Sequence, residues 1–251
     1  MGDERQAALD AIGDEVRTCT RCRLHEGRTK AVPGEGDPDT EVVFVGEGPG
    51  FNEDREGRPF VGRAGGMLVR LLGSVGWQRD DVFITNVVKC RPPDNRDPQA
   101  DEIAACAPYL QRQLEALDPA VVATLGRFSM ASFMPGVRIT QAHGTTRLAD
   151  PATGARDATA LALYHPAYAL RNPDVARESY DDIARLPGVL VEARDRRATR
   201  AAGAHDAPRS ATMTPMAEPD APKAPDPVTA PPTMDAGSLE PATPDDQLTL
   251  F

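Results

Sequence analysis

The chain has 251 residues, 40 % of them hydrophobic, and a formal charge of −10, which suits one large folded domain or two small ones. No stretch approaches the roughly 20 apolar residues of a membrane span, and Met1–Asp10 is charged and lacks the apolar run of a secretory leader, so a cytoplasmic protein without a membrane partner is expected. The acidity is uneven: the segment after Arg200 carries 8 acids and 2 bases, leaving the rest only mildly acidic and open to a local basic patch for nucleic acid.

Asp3–Arg17 has helical spacing, with Ala7, Ile12 and Val16 toward one side, and Cys19–Gly36 reads as loop. Four apolar runs of strand length follow: Glu41–Gly46, Val82–Val87, Ala120–Gly126 and Ala160–Tyr164. Three are continuous rather than alternating, as strands covered on both faces are. Helical patterns lie between them at Ala64–Val75, Asp101–Leu117 and Arg127–Phe133, and after them at Pro166–Leu170 and Pro173–Leu186. This alternation predicts an α/β fold, a three-layer α/β/α sandwich on a four-stranded, mostly parallel sheet. Ligands of such sheets bind beyond the carboxyl ends of the strands. Three unusual loops meet at that rim: Gly46–Gly62 after the first strand, Asn86–Pro98 after the second and His165–Pro173 after the fourth. The first is glycine-rich, acidic and aromatic, a composition that argues against both helix and regular strand.

The folded domain is expected over residues 1–199. Residues 200–246 form a Pro/Ala/Asp-rich stretch, too poor in apolar side chains to offset its ordering entropy, and are expected to be a disordered linker. The four cysteines make a C-x2-C pair, Cys19 and Cys22, and a distant pair, Cys90 and Cys106. In a cytosolic chain they are better ligands than disulfides. Their spacing fits zinc or an iron–sulfur cluster equally.

Taken together, "GEGPGFNEDREGRPFVGRAG", "ITNVVKCRPPDNRDP", "TLGRF" and "YHPAYALRNP", with this order of cysteines, closely resemble the family 4 uracil-DNA glycosylases, iron–sulfur-containing members of the uracil-DNA glycosylase superfamily. The resemblance spans about Cys19 to Leu186. It implies a structural [4Fe-4S] cluster on Cys19, Cys22, Cys90 and Cys106, with zinc as the alternative. It also implies a monomeric enzyme of base excision repair that flips uracil out of DNA and hydrolyses its glycosidic bond. Two positions depart from the usual family motif: Gly48 stands where alanine is common, and Phe51 where a polar or acidic residue is. They leave room for a different reading, a non-catalytic DNA-binding or replication-accessory relative of the same fold.

By this resemblance Phe60 stacks on the uracil ring and the Asn86 carboxamide reads its O4 and N3–H, while His165 donates to O2 as the base leaves. Glu47 is the main candidate to orient water and steady the sugar cation. Glu53 is the second, or a wall against the thymine methyl; Asp54 is a further candidate, read first as a solvated loop acid. Gly46, Gly48, Pro49 and Gly50 bring backbone close to the base. For DNA, the helix opening at Pro166 is expected to favour phosphate. Leu170, Tyr168 or Arg171 is expected to wedge into the gap left by the base, and Arg63, Lys89, Arg91, Arg96 and Arg171 to form a basic rim. The chain ends Gln247, Leu248, Thr249, Leu250, Phe251, which resembles the short glutamine-led peptides that dock replication sliding clamps.

Overall fold

Each of the four apolar runs becomes a strand buried at every position, and the sheet they build carries everything else. The structure, a computed structural model, describes residues 2–205. In chain order the elements are α1 (Gly2–Thr18), α2 (Leu24–Gly27), β1 (Glu35–Gly36), β2 (Val42–Gly46), α3 (Phe51–Glu56), α4 (Arg63–Ser74), β3 (Phe83–Asn86), α5 (Ala100–Leu117), β4 (Val121–Leu125), α6 (Arg127–Phe133), α7 (Ile139–Ala142), β5 (Thr146–Leu148), β6 (Thr159–Leu163), α8 (Pro166–Ala169), α9 (Pro173–Ile183) and α10 (Leu186–His205).

The sheet has six strands in the order β1-β3-β2-β4-β6-β5. The four predicted strands are its parallel centre. Two short edge strands, β1 against β3 and β5 against β6, pair antiparallel and correct the expectation of four. Neither shows in the pattern: β1 is a Glu-Gly dipeptide, and β5 is a Thr-Arg-Leu triplet exposed throughout.

Successive side chains of the central strands face opposite layers. Val43, Val45, Val122, Ala160 and Ala162 pack against α1 and α5 through Leu9, Ile12, Val16, Leu110 and Leu114. Their neighbours Val42, Phe44, Val121, Ala123 and Leu161 pack against α4, α9 and α10 through Leu68, Leu72, Ile183, Leu186 and Leu190. Covering both faces is what makes the strand sequences continuous rather than alternating.

Other expectations change. The glycine-rich loop contains a helix after all, α3, which starts after Gly50 and stops at Gly57, whose φ of 78° only glycine adopts readily. Part of the cysteine loop forms α2. The pattern read as one helix from Pro173 to Leu186 ends at Ile183, and α10 continues to His205, past the boundary expected at residue 199. The remainder of the linker and the Gln247–Phe251 peptide lie outside the described residues. No helix among the described residues is long and apolar enough to cross a membrane.

Leu114 is fully buried between α5 and the sheet. Leu114→Ala is expected to cost about 2–5 kcal/mol in urea unfolding; a loss below about 1 kcal/mol would contradict this packing.

Candidate active site

The parallel strands end on one rim, and β2 and β3 end there in register, Gly46 beside Asn86. A Cβ on Gly46 would lie 2.4 Å from Asn86 Oδ1 and 2.6 Å from Phe60 Cζ. The amide and the phenyl ring thus share the space above a bare Cα. Asn86 is 1 % exposed, and its Oδ1 has no hydrogen-bond partner in the protein. A buried acceptor left unpaired costs free energy, so Asn86 Oδ1 calls for an N–H that the protein does not supply.

Phe60 sits at φ 51°, unusual for a side chain of its size. Several contacts hold it there. Arg79 donates to the carbonyls of Pro59 and Phe60, the latter at 3.1 Å. Glu35 fixes Arg79 and Arg58 together, at 2.7 Å from each. Glu53 Oε1 accepts from the Val61 and Gly62 amides at 3.0 and 2.9 Å. Gly65 leaves room for the turn, since a Cβ there would lie 1.8 Å from the Phe60 carbonyl oxygen. Glu53 is therefore engaged as a loop clamp rather than presented to water. Arg79 and Glu35 were not legible as site residues, because neither lies in a motif and Glu35 is 44 positions from Arg79.

His165 follows β6 and caps α8: its Nδ1 accepts from the Ala167 amide at 3.2 Å. With Nδ1 an acceptor, the neutral ring carries its proton on Nε2. Burial, helped by the Arg171 charge and opposed by Glu53, pulls its pKa down to about 4, so the ring is neutral at physiological pH. Its centroid is 5.7 Å from that of Phe60, with the planes 30° apart. Helix α8 is a single turn, and its Ala167 amide is engaged by His165 Nδ1 and sets the histidine tautomer.

Glu47, on the turn between Gly46 and Gly48, is pushed up to about 7 by burial first and by Asp97, with Arg127 opposing. Arg127 opens α6 and is paired with Asp97. Asp54 is not a solvated acid. It is 3 % exposed, and its oxygens accept from the Thr29 amide at 2.9 and 3.1 Å.

The four cysteines line one cavity with Arg28, Val88, Lys89 and Tyr109. It joins the end of α1 to the loop after β3 and to α5. Arg28 Nη1 donates to Cys90 Sγ at 3.2 Å, and the Lys89 amide to Cys106 Sγ at 3.3 Å. Burial pushes the Cys106 thiol up to about 11, so thiolates there call for positive charge from a bound group. Among the described residues no group of three or more His, Cys, Asp or Glu side chains is arranged as the ligands of one metal ion.

The sequence pattern of the uracil DNA glycosylase superfamily matches residues 33–184. Type-4 uracil-DNA glycosylases of Sulfurisphaera tokodaii and Saccharolobus solfataricus are 45 % and 46 % identical over 190 and 186 residues, covering 73 % and 72 % of this chain and 86 % of each relative. The Thermotoga maritima type-4 enzyme is 45 % identical over 170 residues, 67 % of this chain and 86 % of its own. The chain belongs to the type-4 uracil-DNA glycosylases. At Gly48 an added Cβ would press on Val88 Cγ2 at 2.7 Å.

The expected basic rim is smaller than its sequence suggested. Lys89 is buried in the core, where Nζ donates to Thr85 Oγ1, Asn86 O and Gln113 Oε1 at 2.5, 2.8 and 2.7 Å. It anchors the Asn86 backbone and does not reach DNA. Arg96 is committed to Glu102, at 2.8 and 2.6 Å. Arg63 and Arg171 are exposed and Arg91 is partly so. Tyr168 is 44 % exposed, whereas Leu170 is partly buried against the α4/α9 core.

An NMR titration of the His165 ring tests the electrostatics. The ring is expected to stay neutral down to about pH 5 and to titrate near 4. A midpoint at its ordinary 6.5 would contradict the buried, acceptor-Nδ1 geometry.

Proposed function

We propose that the chain is a uracil-DNA glycosylase of base excision repair, and that the space above Gly46 takes the extruded uracil. The unpartnered, buried Asn86 Oδ1 carries this reading. Uracil presents a donor at N3 and an acceptor at O4, so a carboxamide with Oδ1 facing N3–H and Nδ2 facing O4 is satisfied by it. Cytosine presents an acceptor at N3 and a donor at N4, and would oppose both groups. Sites built on such hydrogen bonds reject the mismatched ligand by roughly 10⁴-fold. Phe60 covers one face of the ring.

When the C1′–N1 bond breaks, its electron pair leaves with N1 and the charge spreads to O2 and O4. The His165 Nε2–H donates to O2 without giving up its proton, a donor of a kind worth about 10²–10³-fold in rate. The sugar becomes cation-like. The Glu47 carboxylate steadies it and orients the water that attacks C1′, taking up the proton released. Glu53 keeps Phe60 in place and is assigned a positioning role. Lys89, fully engaged in the core, forms no Schiff base, so the product is an abasic site with the strand intact.

Cys19, Cys22, Cys90 and Cys106 would hold a structural [4Fe-4S] cluster. Four thiols lining one cavity suit such a cluster, with a single zinc ion as the alternative. Arg28 and the Lys89 amide would support its sulfurs. Arg63, Arg91 and Arg171 are assigned to the DNA backbone, with Tyr168 or Leu170 as the wedge. Gln247–Phe251 is assigned to a sliding clamp, a partner that a pull-down with and without the pentapeptide tests.

The assay is a uracil-containing oligonucleotide treated with protein and then alkali. Wild type is expected to yield alkali-dependent cleavage, and none at all would overturn the reading. Gly46→Ala, His165→Ala and Glu47→Gln are each expected to lose on the order of 10²-fold or more in rate. Asn86→Asp is expected to gain cytosine excision, because a buried neutral carboxyl offers one donor and one acceptor in either order. Glu47 acts as the anion and its pKa is raised, so kcat/KM should rise with pH through about 7; a profile flat from about 5.5 to about 8.5 would remove Glu47 from that role.

A further inference from the structure

Phe51 is a large aromatic side chain left 53 % exposed. It is not a loose side chain in open solvent. The guanidinium carbons of Arg91 and Arg55 lie 5.3 and 5.7 Å from its ring centroid, within cation–π range. Arg91 is itself held, its Nε donating to Asn95 Oδ1 at 2.8 Å.

Both sides of this cluster continue the pocket-forming strands. Phe51 opens α3 where the turn from Gly46 to Gly50 ends, and Arg91 lies five residues beyond Asn86 on the loop after β3. The two loops are bonded to each other, Val87 N to Gly46 O at 2.9 Å and Val88 N to Glu47 O at 3.1 Å. The cluster therefore stands on the rim beside the mouth of the pocket, fixed to the same backbone that carries Asn86 and Glu47.

One aromatic ring among two arginines and the exposed Asn52 is a poor protein-docking face, since the fully buried core of such an interface is largely apolar. It matches a nucleotide in both parts: an aromatic ring for the base and guanidinium groups for its phosphates. Bases stacked within a duplex hide their faces, so the occupant is an unpaired one. We propose that Phe51, with Arg55 and Arg91, is a stacking subsite for an unpaired nucleobase next to the extruded uridine on the same strand. This rests on the glycosylase reading. It makes the chain bind uracil more tightly in single-stranded or frayed DNA than in closed duplex.

The test measures binding of single-stranded oligonucleotides carrying 2′-fluoroarabino-uridine, which resists cleavage. An abasic spacer replaces each flanking nucleotide in turn. Wild type is expected to lose about tenfold in affinity when the spacer falls at one particular flanking position. Phe51→Ala should bind about tenfold more weakly than wild type to the intact strand and should be indifferent to the spacer there. Phe51→Trp should restore both the affinity and the spacer effect. Equal spacer losses in wild type and Phe51→Ala at every position would overturn the subsite, as would equal affinities of the two for the intact strand. Uracil release from ordinary oligonucleotides is followed in parallel. Its absence in wild type sinks the glycosylase reading, whereas normal release without any Phe51 dependence of binding sinks only the subsite.

Discussion

The site depends on the absence of one methyl group. At Gly46 the sheet ends, and the bare Cα is what lets the Phe60 ring and the Asn86 carboxamide occupy neighbouring edges of one small space. Any other residue there would drive its Cβ into both. The register of β2 and β3, which sets Gly46 beside Asn86, is therefore a functional constraint as much as a structural one. It rests in turn on strands buried on both faces, because a one-residue slip would turn every core side chain to the wrong layer.

Around that space the chain spends its buried polar groups on position. Lys89 ties the Asn86 carbonyl to Thr85 and Gln113 beneath the strand. The Glu35 and Arg79 pair holds the Phe60 turn in a backbone conformation it would otherwise leave. A single amide, that of Ala167, sets the tautomer of His165. Burial disfavours the charged form of both groups and so moves their pKa values in opposite directions: that of the His165 imidazole falls to about 4, leaving a neutral donor, and that of Glu47 rises to about 7. Among the described residues two buried side-chain atoms lack a partner, Asn86 Oδ1 and Ser129 Oγ, and the first is the one that a pyrimidine imide would satisfy.

Much of this was legible in the residues. The continuous apolar runs marked the central strands, because covering on both faces leaves no polar alternation, and the loops after three of them contained Phe60, Asn86 and His165. What escaped was what has no local signal. The edge strands are too short and too polar to show a period. Helix α3 forms inside a glycine-rich stretch because its glycines sit at the two ends and none within. Lys89 and Asp54 read as surface charges, yet tertiary partners remote in sequence bury both: Gln113 for the lysine and Thr29 for the aspartate. Glu53 read as a second candidate acid or a wall against the thymine methyl, and its bonds to the Val61 and Gly62 amides had no local signal.

A crystal structure of the protein with free uracil tests the central claim most directly. The base should lie above Gly46 with its face on Phe60, its N3–H on Asn86 Oδ1 and its O2 on His165 Nε2. Uracil bound away from that space, or bound there with Asn86 Oδ1 still unpaired, would contradict it.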